Sequence, residues 1–145
     1  MSHSFLLESG IWYLNGHWVK PDLVTIAIEG QITISWKQQN WFKILTTITS
    51  KDEPELEISS KCQGNLNYEE KSYTYVLQHS LLGNIEGEGR LGKESIVQYY
   101  WSIGVTQKRR GFDTFYYLNE NTYYFTSSIL EDHKLNNTME ATLKR

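Results

Sequence analysis

Leu7-Glu8-Ser9-Gly10-Ile11-Trp12-Tyr13 decides how the rest of this 145-residue chain is read. A glycine two residues ahead of a tryptophan supplies a flexible start and then a large flat side chain suited to plugging one end of a rolled sheet. Trp12, Leu14 and Trp18 share one parity, so a strand through this stretch turns all three the same way. The stretch reads as the first strand of a closed β-barrel with Trp12 at its floor, and Ser2 to Ser9 as a short turn covering that floor.

The segments that follow read as strands, with hardly any helix. Lys20-Pro21-Asp22 makes a turn, because proline presets φ and aspartate favours turn chemistry. Val24, Ile26 and Ile28 then alternate with polar or small residues, and Glu29-Gly30 is expected to turn the chain into Ile32, Ile34 and Trp36 as a hairpin. Phe42, Ile44 and Ile48 lie along the next strand. Leu56, Ile58 and Cys62 face one way while Glu55, Glu57, Ser59 and Lys61 face the other, which predicts a strand wet on one side only. Gly64 to Lys71 reads as a loop. Tyr73, Tyr75, Leu77 and His79 share a parity, as do Ile85, Gly87, Gly89 and Leu91 after a turn at Leu82-Gly83. Glycines on an inward face allow a sharp bend or the close approach of a ligand. Val97, Tyr99, Trp101 and Ile103, and then Phe112, Thr114, Tyr116 and Leu118 beyond a basic loop, are expected to point inward, with Asp113 outward. Asn119-Glu120-Asn121 and Glu131 to Lys134 read as the last two turns. Turn signals roughly every eight to twelve residues, with no long crossover, favour a single all-β domain over 1–145, an antiparallel up-and-down barrel of about ten strands.

Composition narrows the function. No apolar run is long enough for a membrane-spanning helix, and the N-terminus lacks the basic and apolar regions of a signal peptide, so the expected compartment is cytoplasmic, where the Asn136-Asn137-Thr138 sequon has no use. A net charge of −3 argues against nucleic acid as a partner, and Lys108-Arg109-Arg110 reads as a solvated turn. The single cysteine, Cys62, excludes an internal disulfide and is expected to be a buried, inert thiol. Ten tyrosines, five tryptophans and five phenylalanines suit a wall that is apolar and hydrogen-bonding at once, and they are also good strand formers.

Three motifs carry less than they promise. Gly87-Glu88-Gly89-Arg90-Leu91-Gly92 fits the dinucleotide fingerprint, but Ser95-Ile96-Val97-Gln98-Tyr99-Tyr100 follows as a strand where that chemistry needs a helix N-terminus. Glu86 and Glu88 form a carboxylate pair, placed on the solvent side by the inward parity of Ile85, Gly87 and Gly89. His3, His17, His79 and His133 are too scattered for a local metal motif. His79 reads either as a pocket residue beside two tyrosines or as a barrel-end histidine with its hydrogen bonds satisfied. No Ser-His-Asp or Cys-His arrangement is visible, so no catalytic or metal-binding residue is assigned and binding is expected rather than enzymatic activity.

Gly10-Ile11-Trp12 resembles the G-x-W signature of the calycin barrels, the lipocalins, avidins and nitrobindin-like heme barrels. In those families an Arg or Lys of the closing strand packs on the Trp. Met139, Ala141, Leu143 and Arg145 share one face here, so the resemblance implies that Arg145 caps Trp12 through a cation–π contact and that the two close the barrel structurally. The short turn after Val19 leaves no room for the helical lid of fatty-acid-binding proteins. The resemblance further implies one small, mostly apolar or aromatic ligand inside, contacted by Trp36, Tyr73, Tyr75, His79, Tyr99, Trp101, Phe112 and Tyr116. No fixed cofactor is expected. A heme barrel using His133, a bilin-lyase-like enzyme, and a barrel packed with its own side chains that serves as an interaction module are the alternatives.

Overall fold

Alternation of apolar and polar residues runs through ten strands, and each strand pairs antiparallel with its neighbours in sequence. A computed structural model describes residues 3–104 and 108–145. Ser2 of the expected floor turn and the middle of the expected basic loop lie outside the described residues. The strands are β1 (Gly10–Val19), β2 (Thr25–Trp36), β3 (Trp41–Thr49), β4 (Glu57–Asn67), β5 (Ser72–His79), β6 (Gly83–Leu91), β7 (Ser95–Ser102), β8 (Arg109–Asn119), β9 (Thr122–Glu131) and β10 (Lys134–Lys144). Pairing of β1 with β10, Leu14 opposite Leu143 and Trp18 opposite Met139, closes the sheet into a barrel. Closure removes both free edges, so every strand has two hydrogen-bonding neighbours. Among the described residues no helix is long and apolar enough to cross a membrane.

Two expectations about elements are corrected. Glu29-Gly30 is not a turn: β2 runs straight through it, with Gly30 between Leu14 of β1 and Ile48 of β3. The parity of Ile28 and Ile32 continues across Gly30 unbroken, as one strand requires and a two-residue turn does not. Gly64 to Lys71 is likewise mostly strand. Gly64 and Leu66 continue the inward face of β4, and the connection to β5 shrinks to residues 68–71.

The floor is a plug of rings beneath Trp12. Residues 4–8 form one turn, held by the Glu8 N–H donating to the Ser4 carbonyl at 3.3 Å. The turn carries Phe5 and Leu6 inward, where both are buried. Phe5 stacks on Phe115 at 4.6 Å and meets Trp12 edge-on at 5.5 Å, and Tyr123 closes on Trp12 at 5.6 Å. His3 locks the turn from outside. Its Nε2 faces the Gly92 carbonyl at 2.7 Å and so carries the proton, which leaves Nδ1 to accept from the Tyr123 hydroxyl at 2.7 Å. The Arg145 guanidinium lies 5.4 Å from the Trp12 ring and bonds Glu8 at 3.1 Å. Among the described residues the far end, bounded by the turns at 20–24, 50–56, 80–82 and 132–133, has no such plug.

Candidate ligand-binding cavity

Above the floor the barrel encloses a cavity of about 430 Å³. Most of its wall is aliphatic or aromatic, from Leu14, Ile32, Ile48, Leu77, Phe125 and Met139 among others. One side is polar, and the pairing register accounts for it. Tyr73, Gly89, Gln98, Asp113 and Ser127 are successive partners across β5, β6, β7, β8 and β9, so they form a single belt around the interior. Gly89 has no side chain, and the Tyr73 ring lies over it: a Cβ on Gly89 would sit 2.1 Å from the Tyr73 Cζ. The ring thereby crosses β6, and its hydroxyl donates to Gln98 Oε1 at 2.6 Å. Gln98 Nε2 in turn donates to Asp113 Oδ2 at 2.7 Å, and the Ser127 hydroxyl donates to the same carboxylate.

Glycine and tyrosine repeat this arrangement. Tyr75 lies over Gly87 and Tyr100 over Gly111, with hypothetical Cβ atoms 2.3 and 2.0 Å from the tyrosine Cζ atoms. The close approach that the inward glycines permit is therefore made by the protein's own rings. Three tyrosine hydroxyls are gathered near one carboxylate, and burial raises the pKa of all three, so they remain neutral hydrogen-bonding groups. Tyr75 Oη is buried and, among the described residues, has no hydrogen-bond partner.

Asp113 is enclosed by protein, and the surface it retains faces the cavity. Burial pushes its carboxyl up to about 6, against the opposing hydrogen bonds from Gln98 and Ser127. Cys62 lines the cavity from β4, and burial pushes its thiol up to about 12, the state of an unreactive thiol. At the open end, His79 accepts the backbone N–H groups of Leu81 and Leu82 on Nδ1 at 3.1 and 3.2 Å. The Nε2 must therefore hold the proton, and burial keeps the ring neutral by pushing its pKa down to about 4. His79 is thus both a cavity residue and a satisfied barrel-end histidine. Arg109 stands at the same end, 3.9 Å from Glu131.

Of the residues expected to touch a ligand, Tyr73, Tyr75 and His79 line the cavity and five do not. Trp36 lies under the floor, donating to the Leu6 carbonyl at 2.9 Å and packing on Phe42. Tyr99, Trp101, Phe112 and Tyr116 point outward: Phe112 and Tyr116 are 48% and 44% exposed, and Tyr99 stacks on Phe112 at 4.8 Å on the outer surface. Asp113, expected outside, is inside. Apart from Trp36, which lies at the floor end of β2, these corrections are one event, a reversal of face in β7 and β8. Both faces of β7 are apolar, Ile96 and Tyr100 on one and Val97, Tyr99 and Trp101 on the other, so alternation alone does not choose between them. The cue was Gly111, which belongs with Gly87 and Gly89 opposite a tyrosine, and the pairing of Leu91 with Ile96, which carries the inward parity of β6 into β7. Gln98, Tyr100, Asp113 and Ser127 are the site residues that sequence reasoning missed.

Heme fits neither His133, the ligand expected for it, nor His79, which lines the cavity. His133 is exposed in the turn between β9 and β10 and does not line the cavity. His79 has its Nδ1 lone pair taken by two backbone donors and its Nε2 protonated, so no nitrogen is free to ligate iron. Among the described residues no group of three or more His, Cys, Asp or Glu is placed to hold a metal ion.

No family model and no curated protein sequence matches the chain. Among solved structures, the crystal structure of Rv2717c from M. tuberculosis resembles it with a TM-score of 0.75, over 94% of this chain and 91% of that one, at 9% identity. The likeness is one of fold.

Proposed function

We propose that this chain is a calycin-like barrel that binds one small, mostly apolar or aromatic molecule in its interior. The observation that carries the reading is the cavity itself. A packed interaction module has a filled interior, whereas here about 430 Å³ remains above a closed floor, within the range of small-molecule sites. The aliphatic wall supplies affinity by removing apolar surface from water, and the polar belt supplies orientation. The contact set is Tyr73, Tyr75, Tyr100, Gln98, Asp113 and His79, with Ile48, Leu77 and Met139 facing them.

Titration with the neutral fluorophore phenylnaphthylamine tests this. Saturable enhancement at one probe per chain is expected, and Leu77→Trp, which adds bulk at the cavity wall, is expected to weaken it by about tenfold or more while leaving the β-sheet circular dichroism unchanged. Absence of saturable binding, or equal binding to the filled variant, would overturn the reading.

A further inference from the structure

Charge around the cavity is unbalanced. Among the described lining residues the one permanently cationic side chain is Arg109, four residues from Asp113 along β8, roughly 13 Å at the usual strand rise, and it sits beside Glu131. Every other ionisable group facing Asp113 is neutral at ordinary pH: Cys62 from β4, Tyr73 and Tyr75 from β5, and Tyr100 from β7. Gln98 and Ser127 donate to the carboxylate but carry no charge to set against it. An ionised carboxylate accepts about four hydrogen bonds, so two donors leave it acceptor capacity on the cavity side. A buried charge of this kind is costly until it is paired. A carboxylate ligand at this depth meets Asp113 as a like charge, and an alcohol or amide fills lone pairs while leaving the charge in place.

We propose that the ligand is an organic amine, whose protonated nitrogen pairs with Asp113 while an apolar or aromatic body lies against Leu77, Ile129 and Met139. The proposal rests on the cavity-binding reading above and names the chemistry of its occupant. The Tyr75 hydroxyl, buried and without a partner, is a second polar contact available to the amine or its nearest substituent. Selectivity arises from the belt, because the same geometry that shelters a cation repels an anion of identical shape.

Three ligands of one shape test it by calorimetry on the intact chain: phenylbutylamine, phenylbutanol and phenylbutyrate. At about pH 7.5 the amine is expected to bind about tenfold or more tightly than the alcohol, with the butyrate weakest. Asp113→Asn is expected to reduce the preference for amine over alcohol to about twofold or less. Should that variant misfold, the pH arm stands on the native chain. Between about pH 7.5 and pH 5 Asp113 takes up its proton, while the tyrosines and Cys62 stay neutral and His79, pushed down to about 4, stays largely so. The amine is therefore expected to lose affinity over that interval while the alcohol does not. Equal affinities of amine and alcohol, a preference that survives Asp113→Asn, or a pH-independent preference would overturn the amine assignment while leaving the cavity reading intact. If none of the three ligands and not the neutral fluorophore binds, the cavity reading fails and the amine assignment with it.

Discussion

Asp113 is a carboxyl that the fold holds against its own chemistry, and stability should report it. Its pKa rises from an ordinary value near 3.8 to about 6 because burial disfavours the anion more than Gln98 and Ser127 stabilise it. The native state therefore binds this proton more tightly than the unfolded chain does. The resulting stabilisation is fully present below about pH 3.8, is lost as pH rises through about 6, and amounts to at most about 3 kcal/mol. Asp113→Asn removes the charge and keeps the hydrogen bonding, since the asparagine oxygen accepts from Gln98 Nε2 as the carboxylate does and its amide nitrogen donates to the Ser127 hydroxyl oxygen. The variant is expected to gain stability relative to the parent above about pH 6 and to lose that advantage towards pH 4. Urea midpoints across this range check it, and parallel profiles for the two proteins would contradict it. None of this was legible along the chain, where Asp113 stands between Phe112 and Thr114 as an ordinary outward residue of a strand.

Strands β5 to β8 show what a missing side chain achieves. Tyr73 reaches Gln98 two strands away, a span of about 10 Å, only because Gly89 leaves β6 flat beneath its ring. Gly89→Ala puts a methyl group 2.1 Å from the ring carbon and 2.4 Å from the hydroxyl oxygen. Overpacking of this kind costs about 1–3 kcal/mol, so a correspondingly lower midpoint in denaturant is expected. The control is Glu88→Ala on the same strand, whose side chain faces solvent and whose loss is expected to change stability by no more than about 0.5 kcal/mol. Equal effects of the two substitutions would show that the ring does not rest on the glycine. The inward parity of β1, β4, β5, β6 and β9 was legible because one face of each is distinctly more apolar or glycine-rich. In β7 and β8 large aromatics occupy both faces, and the outer set, led by the Tyr99–Phe112 stack, stabilises cross-strand pairing instead of filling the core.

Closure depends on the join between the two ends of the chain. Trp12 is fully buried where β1 meets the floor turn, with Phe5, Tyr123 and Arg145 around it. Trp12→Ala removes the floor from all of them and is expected to cost about 3–5 kcal/mol. Arg145→Ala loses only a partly exposed cation–π contact and a surface ion pair, and about 1 kcal/mol or less is expected. Thermal or urea denaturation separates the two. A loss for Arg145→Ala as large as that for Trp12→Ala would make the arginine, rather than the ring, the element that holds the floor.

Strand content and antiparallel order were written locally, in alternation and turn residues, because each depends on contacts between neighbours in sequence; the closed barrel and its floor join the two ends of the chain, and were expected through the strand count and the resemblance carried by Gly10-Ile11-Trp12. Which residues face the ligand was not. Facing is set by register, and a shift of one residue in a hairpin turns an entire strand inside out without changing its composition. The assembled barrel set the register of β7 and β8 through pairings that match Gly87 and Gly111 with Tyr100 and Gly89 with Gln98, and so brought a carboxylate, an amide and three phenols from three strands to one wall.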